Sequence, residues 1–149
     1  MVEKLSAAGK NSDISPLWLA VVAGALCRSD GRWLMHRRPL TKQHGGLWEF
    51  PGGKVEASEK PVESLARELQ EELGITVHAE QCAPVAFAEE RGQADKKPIV
   101  ILLYKVSIWD GDPISLEGGG TGWFTPDEIR ALDKPPLDCE LTRSLFGKE

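Results

Sequence analysis

The chain has 149 residues, 41% of them hydrophobic and 28% charged, the size and composition of one globular domain with a single buried core. A formal net charge of −5 argues against a nucleic-acid polymer as partner, because such binders present a basic patch, and no run of 18 apolar residues offers a membrane span. Cys27, Cys82 and Cys139 are odd in number and lack a CxxC spacing, which reads as reduced thiols and points away from a disulfide framework or a zinc site.

Residues 1–16 are small and polar, without the apolar segment of a signal peptide, and are expected to be a flexible tail ahead of a single domain at 17–149 in the cytoplasm. Leu17 to Cys27 is a continuous apolar run of strand length, as in a central strand covered on both faces. Ser29-Asp30-Gly31 signals a hairpin turn, and Arg32 to Arg38 supplies the returning strand. Lys42 to Gly46 is a polar, glycine-containing loop, and Trp48-Glu49-Phe50-Pro51 leads into the Gly52-Gly53 turn. From Pro61 to Leu73, the residues Val62, Leu65, Ala66, Leu69 and Leu73 form one stripe of a 3.6-residue period and predict an amphipathic helix. Pro61 suits its first position, Lys60 is a poor N-cap that needs a neighbour such as Ser58, and Gly74 suits a left-handed C-cap.

Further strands are expected at Ile75 to Ala79, Ala83 to Glu89, Pro98 to Trp109 and Gly122 to Phe124. Thr125, Pro126 and Glu128 have the pattern of a capping box, and Leu137 to Phe146 predicts a last amphipathic helix. Strands interspersed with two or three helices imply an α+β layered domain.

The opposite flank of the Pro61–Leu73 helix carries the chemistry. At about 100° per residue, Glu68, Glu71 and Glu72 share one ridge, and Glu56 and Glu59 stand close enough in sequence to reach it. The Glu68–Glu72 pair puts like charges four residues apart, which costs an isolated helix a few tenths of a kcal/mol. A cation explains that cost. Grouped carboxylates are hard oxygen ligands suited to Mg²⁺, with Mn²⁺ as a substitute. A solvated acidic face is the plainer alternative.

The spacing adds to this. Gly53, five residues, Glu59, seven residues, then Arg67-Glu68-Leu69-Gln70-Glu71-Glu72-Leu73-Gly74-Ile75 resembles the signature of the Nudix hydrolases, which cleave nucleoside diphosphates linked to a further moiety. The run Gly46-Leu47-Trp48-Glu49-Phe50-Pro51-Gly52-Gly53-Lys54-Val55-Glu56 is similar to the MutT branch of that family. The resemblance implies an α/β/α sandwich with a mixed sheet between helices. It also implies Mg²⁺-dependent hydrolysis of a nucleoside triphosphate, such as 8-oxo-dGTP or (d)CTP, to the monophosphate and pyrophosphate. ADP-ribose, a nucleotide-sugar, a dinucleoside polyphosphate or capped RNA is the alternative substrate, and a noncatalytic nucleotide sensor the alternative class.

Carried over by position, the resemblance makes Glu68 and Glu72 the principal metal ligands, with Glu71 close behind and the Gly52 carbonyl as a further oxygen. Arg67 then orients a glutamate of the cluster, and Glu59 holds the remaining acidic position. Glu117 falls where an additional metal-binding or base-supporting glutamate is found, or is a plain loop acid. Arg38, Gly53 and Lys54 are expected at the substrate, and Phe50 as a wall of the base pocket. Asp138 replaces the asparagine of bacterial MutT; it either reads a base edge or caps a helix. For Trp48, stacking on a base and plain packing are both open. Trp18, Trp33 and Trp123 read as core, and His36 and His44 as ordinary strand and loop histidines.

Overall fold

A computed structural model describes residues 17–147, so the expected tail at 1–16 lies outside the described residues. The strands are β1 (Leu19–Leu26), β2 (Trp33–Arg37), β3 (Trp48–Glu49), β4 (Gly52–Lys54), β5 (Cys82–Glu90), β6 (Ile99–Val106) and β7 (Thr121–Phe124). The helices are α1 (Pro61–Leu73), α2 (Pro126–Ala131) and α3 (Pro136–Phe146). None is long and apolar enough to cross a membrane.

The apolar run at the start becomes β1 because it is paired on both edges and covered on both faces. It runs antiparallel to β4 and parallel to β6, giving a mixed sheet in the order β4-β1-β6-β5. Along it, Val22 and Leu26 point into a core with Leu65, Leu69 and Leu73 of α1, while Ala23 and Ala25 point into a second core with Ile129 of α2 and Leu141 of α3. The period-2 alternation of one strand therefore builds both halves of an α/β/α sandwich. Each fully buried leucine of α1 contributes about 1.5–3 kcal/mol by leaving water. A second antiparallel sheet, ordered β3-β2-β7, brings His36 of β2 and Glu49 of β3 to the same cleft as Glu68 and Glu72 of α1.

Local signals explain most boundaries. Gly74 adopts the left-handed conformation (φ 72°) and ends α1. At the other end, the Glu63 carboxylate, and not Ser58, accepts from the Lys60 amide at 2.9 Å. The Thr125 hydroxyl accepts from the Glu128 amide while the Glu128 carboxylate accepts from the Thr125 amide, closing a reciprocal cap on α2.

Three expectations need correction. The strand expected at Ile75 to Ala79 is a single bridge between Thr76 and Asp110, followed by one 3-10 turn at Ala79–Gln81. Ile75 and Val77 alternate because both are buried against α1, and one-sided burial gives that pattern without a ladder. The strand expected to reach Trp109 stops at Val106; Trp109 lies beyond it, stacked on Trp123 at 6.0 Å. Trp18 is not core, being 52% exposed ahead of β1, whereas Trp33 and Trp123 do pack against the two cores.

Candidate active site

The turn into β4 brings backbone against the acidic helix. A Cβ on Gly53 would lie 2.2 Å from the Glu68 carboxyl carbon, and one on Gly52 would lie 1.9 Å from the Val22 carbonyl oxygen. Only glycine lets β4 touch β1 on one side and α1 on the other. Above this contact lies a cleft of about 440 Å³, lined by Glu49, Glu68, Glu72 and Glu117, by Gly52 and Gly53, and by Arg38, Lys42 and Lys54.

Arg67 divides the acids. Its guanidinium grips Glu59 through Nε (3.0 Å to Oε2) and Nη2 (3.1 Å to Oε1), and reaches Glu68 Oε2 from Nη1 at 3.1 Å. Hydrogen bonds from Arg67, then from Ser64, hold the Glu59 carboxyl below its ordinary range. Glu59 thus lies under the guanidinium rather than in the cleft. Glu71 is also outside it, exposed and 3.6 Å from Arg67.

Glu72 is the costly one. Burial first, then the charges of Glu68, Glu49 and Glu117, push its carboxyl up to about 8 against the opposing Gly52 amide. Its Oε1 is buried without a hydrogen-bond partner. Burial likewise raises Glu68, against the pull of Arg67 and with Glu71 and Glu117 adding to it.

No three His, Cys, Asp or Glu side chains among the described residues form a ready metal cage. The donors nevertheless fit a hard divalent cation: carboxylate oxygens facing one cleft, one of them orphaned, beside the Gly52 backbone. A cation there removes the mutual repulsion and supplies the missing partner.

A second cavity of about 270 Å³ shares Val21, Arg38 and Glu49 with the cleft and is completed by Gln43, His44, Pro135 and Asp138. Asp138 is 6% exposed; its Oδ1 accepts from the Phe50 amide at 3.1 Å, and burial pushes its carboxyl up to about 7. It is not the cap of α3, since Pro135 holds that position. Phe50 does not wall the cavity. The residue is 3% exposed and belongs to the core with Met35 and Leu141, and its backbone amide is what bonds Asp138. Trp48 packs edge-on against Phe124 at 5.2 Å and lines neither space. A larger groove of about 520 Å³ around Phe87 and Tyr104 carries no carboxylate, histidine or basic side chain.

Three polar side chains of the cleft lining were not expected there. Glu49 accepts from Arg38 Nη1 at 2.7 Å, His36 stands opposite Glu49 in the β2–β3 register, and Lys42 enters from the loop after β2. The available signal was a polar Glu49 set between Trp48 and Phe50, which alternation turns away from the core.

The NUDIX domain family model matches residues 17–145. The chain is 33% identical over 132 residues to an 8-oxo-dGTP diphosphatase of Haemophilus influenzae, covering 87% of this chain and 93% of that one. It is 32% identical over 126 residues to a CTP pyrophosphohydrolase of Escherichia coli, covering 85% and 90%. The solution structure of the E. coli ORF135 protein superposes with a TM-score of 0.77 at 32% identity, over 87% of this chain and 89% of that one. The chain belongs to the Nudix hydrolase family.

Proposed function

We propose that the protein is a Mg²⁺-dependent nucleoside triphosphate pyrophosphohydrolase of the MutT type, releasing monophosphate and pyrophosphate and acting on the cytoplasmic nucleotide pool. The observation that supports this reading is a pair of adjoining cavities: an acidic cleft with an orphaned Glu72 oxygen shares Val21, Arg38 and Glu49 with a second pocket lined by the buried Asp138. A triphosphate with its base at Asp138 and its phosphates beside the glutamates uses both.

Bound there, the divalent ion supplies charge neutralisation on the phosphates and an acidified water. Glu68 and Glu72, with the Gly52 carbonyl and Glu117, are the residues to hold it. Arg67 fixes Glu68 by a direct hydrogen bond and keeps Glu59 out of the cleft. Lys42 and Lys54 offer ammonium groups to the phosphate chain. A carboxylate of the cluster accepts the proton of the attacking water.

Asp138 limits the base. Ionised, it only accepts a hydrogen bond, as the N4 amino group of cytosine requires; protonated, it also donates, as an 8-oxoguanine edge allows. With its carboxyl pushed up to about 7, both forms are within reach near neutrality. The relatives named CTP pyrophosphohydrolase and 8-oxo-dGTP diphosphatase correspond to these two cases. Pyrophosphate release with Mg²⁺ from 8-oxo-dGTP, dGTP, dCTP, 5-hydroxy-dCTP and ADP-ribose tests the reading. A triphosphate preference with monophosphate as co-product is expected. Turnover of ADP-ribose alone overturns it.

A further inference from the structure

His36 is a buried imidazole that the hydrolytic scheme leaves unused. It is 2% exposed, lines the acidic cleft and lies between three groups. Its Nε2 is 3.3 Å from the Ser115 hydroxyl, its Nδ1 is 3.6 Å from Glu49 Oε2 and has no closer partner, and Gly118 presses on the ring edge. A Cβ on Gly118 would come within 2.8 Å of both His36 Cε1 and Nε2, and Gly118 sits at φ 141°. The two loop residues that meet His36 therefore bracket Glu117.

The tautomer follows from the neighbours. A lone pair on Nδ1 would face the Glu49 carboxylate, setting acceptor against acceptor. In the neutral imidazole this favours the proton on Nδ1, on the side of Glu49, and leaves Nε2 to accept from the Ser115 hydroxyl. Glu49 in turn holds Arg38 at 2.7 Å, and Arg38 Nε donates to the Gln43 carbonyl at 2.8 Å in the loop that lines the second cavity. The Glu117 loop has backbone anchors as well, from the Leu116 amide to the Glu72 carbonyl (2.9 Å) and from the Gly119 amide to the Arg37 carbonyl (3.0 Å). These hold the backbone on either side of Glu117. His36 adds a side-chain link to Ser115, just ahead of the Leu116 anchor, and packs against Gly118 between the two anchors.

We propose that His36 is a positioning residue that holds the Glu117 loop over the cleft and links it, through Glu49 and Arg38, to the nucleoside cavity. The assignment rests on the hydrolytic reading only for its kinetic consequence; the linkage itself is a property of the fold.

Two measurements decide it. In a double-mutant cycle, His36→Ala is expected to lower kcat about tenfold in the wild-type background, the scale of one buried hydrogen bond. It is expected to change kcat by less than about twofold when Glu117 is already Gln, because the two residues act as one unit. His36→Gln, whose amide reaches the Nε2 position, is expected to recover most of the loss and to guard against a folding defect. Equal losses in both backgrounds overturn the proposal. Independently of turnover, ¹⁵N NMR of the metal-free protein is expected to show the Nδ1–H tautomer, and amide exchange at Gly119 to quicken at least about tenfold in His36→Ala. The opposite tautomer, or unchanged exchange, overturns the linkage. A wild-type protein that hydrolyses no nucleotide sinks the proposed function, while the tautomer and exchange results still decide the role of His36.

Discussion

Replacing Glu72 by Gln removes the carboxyl that the cleft ionises at greatest cost and keeps the volume of the side chain. Burial and three neighbouring carboxylates lift the Glu72 carboxyl from 4.5 to about 8, so without a cation the folded protein keeps a proton that the unfolded chain releases. Below pH 4.5 both states are protonated and the group costs nothing. Between pH 4.5 and about 8, stability falls as pH rises, by about 1.4 kcal/mol per unit. By pH 7 the penalty is about 3 kcal/mol, equivalent to roughly 6–12 °C in Tm for a domain of this size. Gln does not titrate. In EDTA, Glu72→Gln is therefore expected to match the wild type near pH 4.5 and to exceed it by about 3 kcal/mol at pH 7. Added Mg²⁺ is expected to stabilise the wild type and leave the variant nearly unmoved, since the ion binds the folded state through this carboxylate. Turnover of the variant is expected to fall by about 100-fold or more. Denaturant melts at both pH values, with EDTA and with Mg²⁺, run beside pyrophosphate release, measure all of this. A variant whose advantage does not grow with pH, or that gains as much from Mg²⁺ as the wild type, refutes the reasoning.

Asp138→Asn is expected to flatten the pH dependence of base choice. In the wild type, ionisation through about pH 7 is expected to raise turnover of dCTP relative to 8-oxo-dGTP as pH increases, and competition assays from pH 6 to pH 8.5 follow the ratio. The same substitution removes a stability loss that develops as pH rises from 3.8 to about 7, visible as a smaller fall in Tm over that range. Gly53→Ala forces the Glu68 carboxylate aside, and a displacement on the order of 1 Å is expected to cost about 100-fold in kcat with unchanged far-UV circular dichroism. Arg67→Lys loses the forked grip on Glu59 and Glu68, and an approximately tenfold drop in kcat is expected. Glu59→Gln in that background then adds little, which steady-state kinetics of the single and double variants reports.

The Pro61–Leu73 helix was legible because two periodic signals coincide in it: leucines on one face that need a core and acids on the other that repel unless something cationic meets them. Glycines 52 and 53 were legible as a turn, but the reason they must be glycine is tertiary, since the clashing atoms belong to Val22 and Glu68. Phe50 was misplaced for a related reason. Beside Glu49 in a short extended segment it had to face away from Glu49, and once Glu49 lines the cleft, Phe50 can only enter the core. Its link to Asp138 spans 88 residues and runs through a backbone amide, which no side-chain pattern records. His36 and Glu49 meet through the β2–β3 register, and neither signals the other along the chain.

The acids of the signature are equivalent in sequence, and the structure makes them unequal. Arg67 is the residue that separates them. Its guanidinium is committed to Glu59 and Glu68 and lies 3.6 Å from Glu71, so the carboxylates of the cleft beyond its reach are Glu49, Glu72 and Glu117. Glu49 is neutralised by Arg38. That leaves Glu72, buried with an orphaned oxygen, and Glu117, carried on a loop, as the acids in the cleft without a cationic partner among the described residues. An arrangement in which two arginines partner four of the six acids around one cleft and the edge of its helix, and two are left facing inward, concentrates its unpaid electrostatic cost where a divalent ion and a polyphosphate are proposed to meet. Removing a paired acid such as Glu59 should therefore perturb geometry, and removing Glu72 should perturb cation affinity; Mg²⁺ titrations of the two Gln variants, read by calorimetry, are expected to separate them.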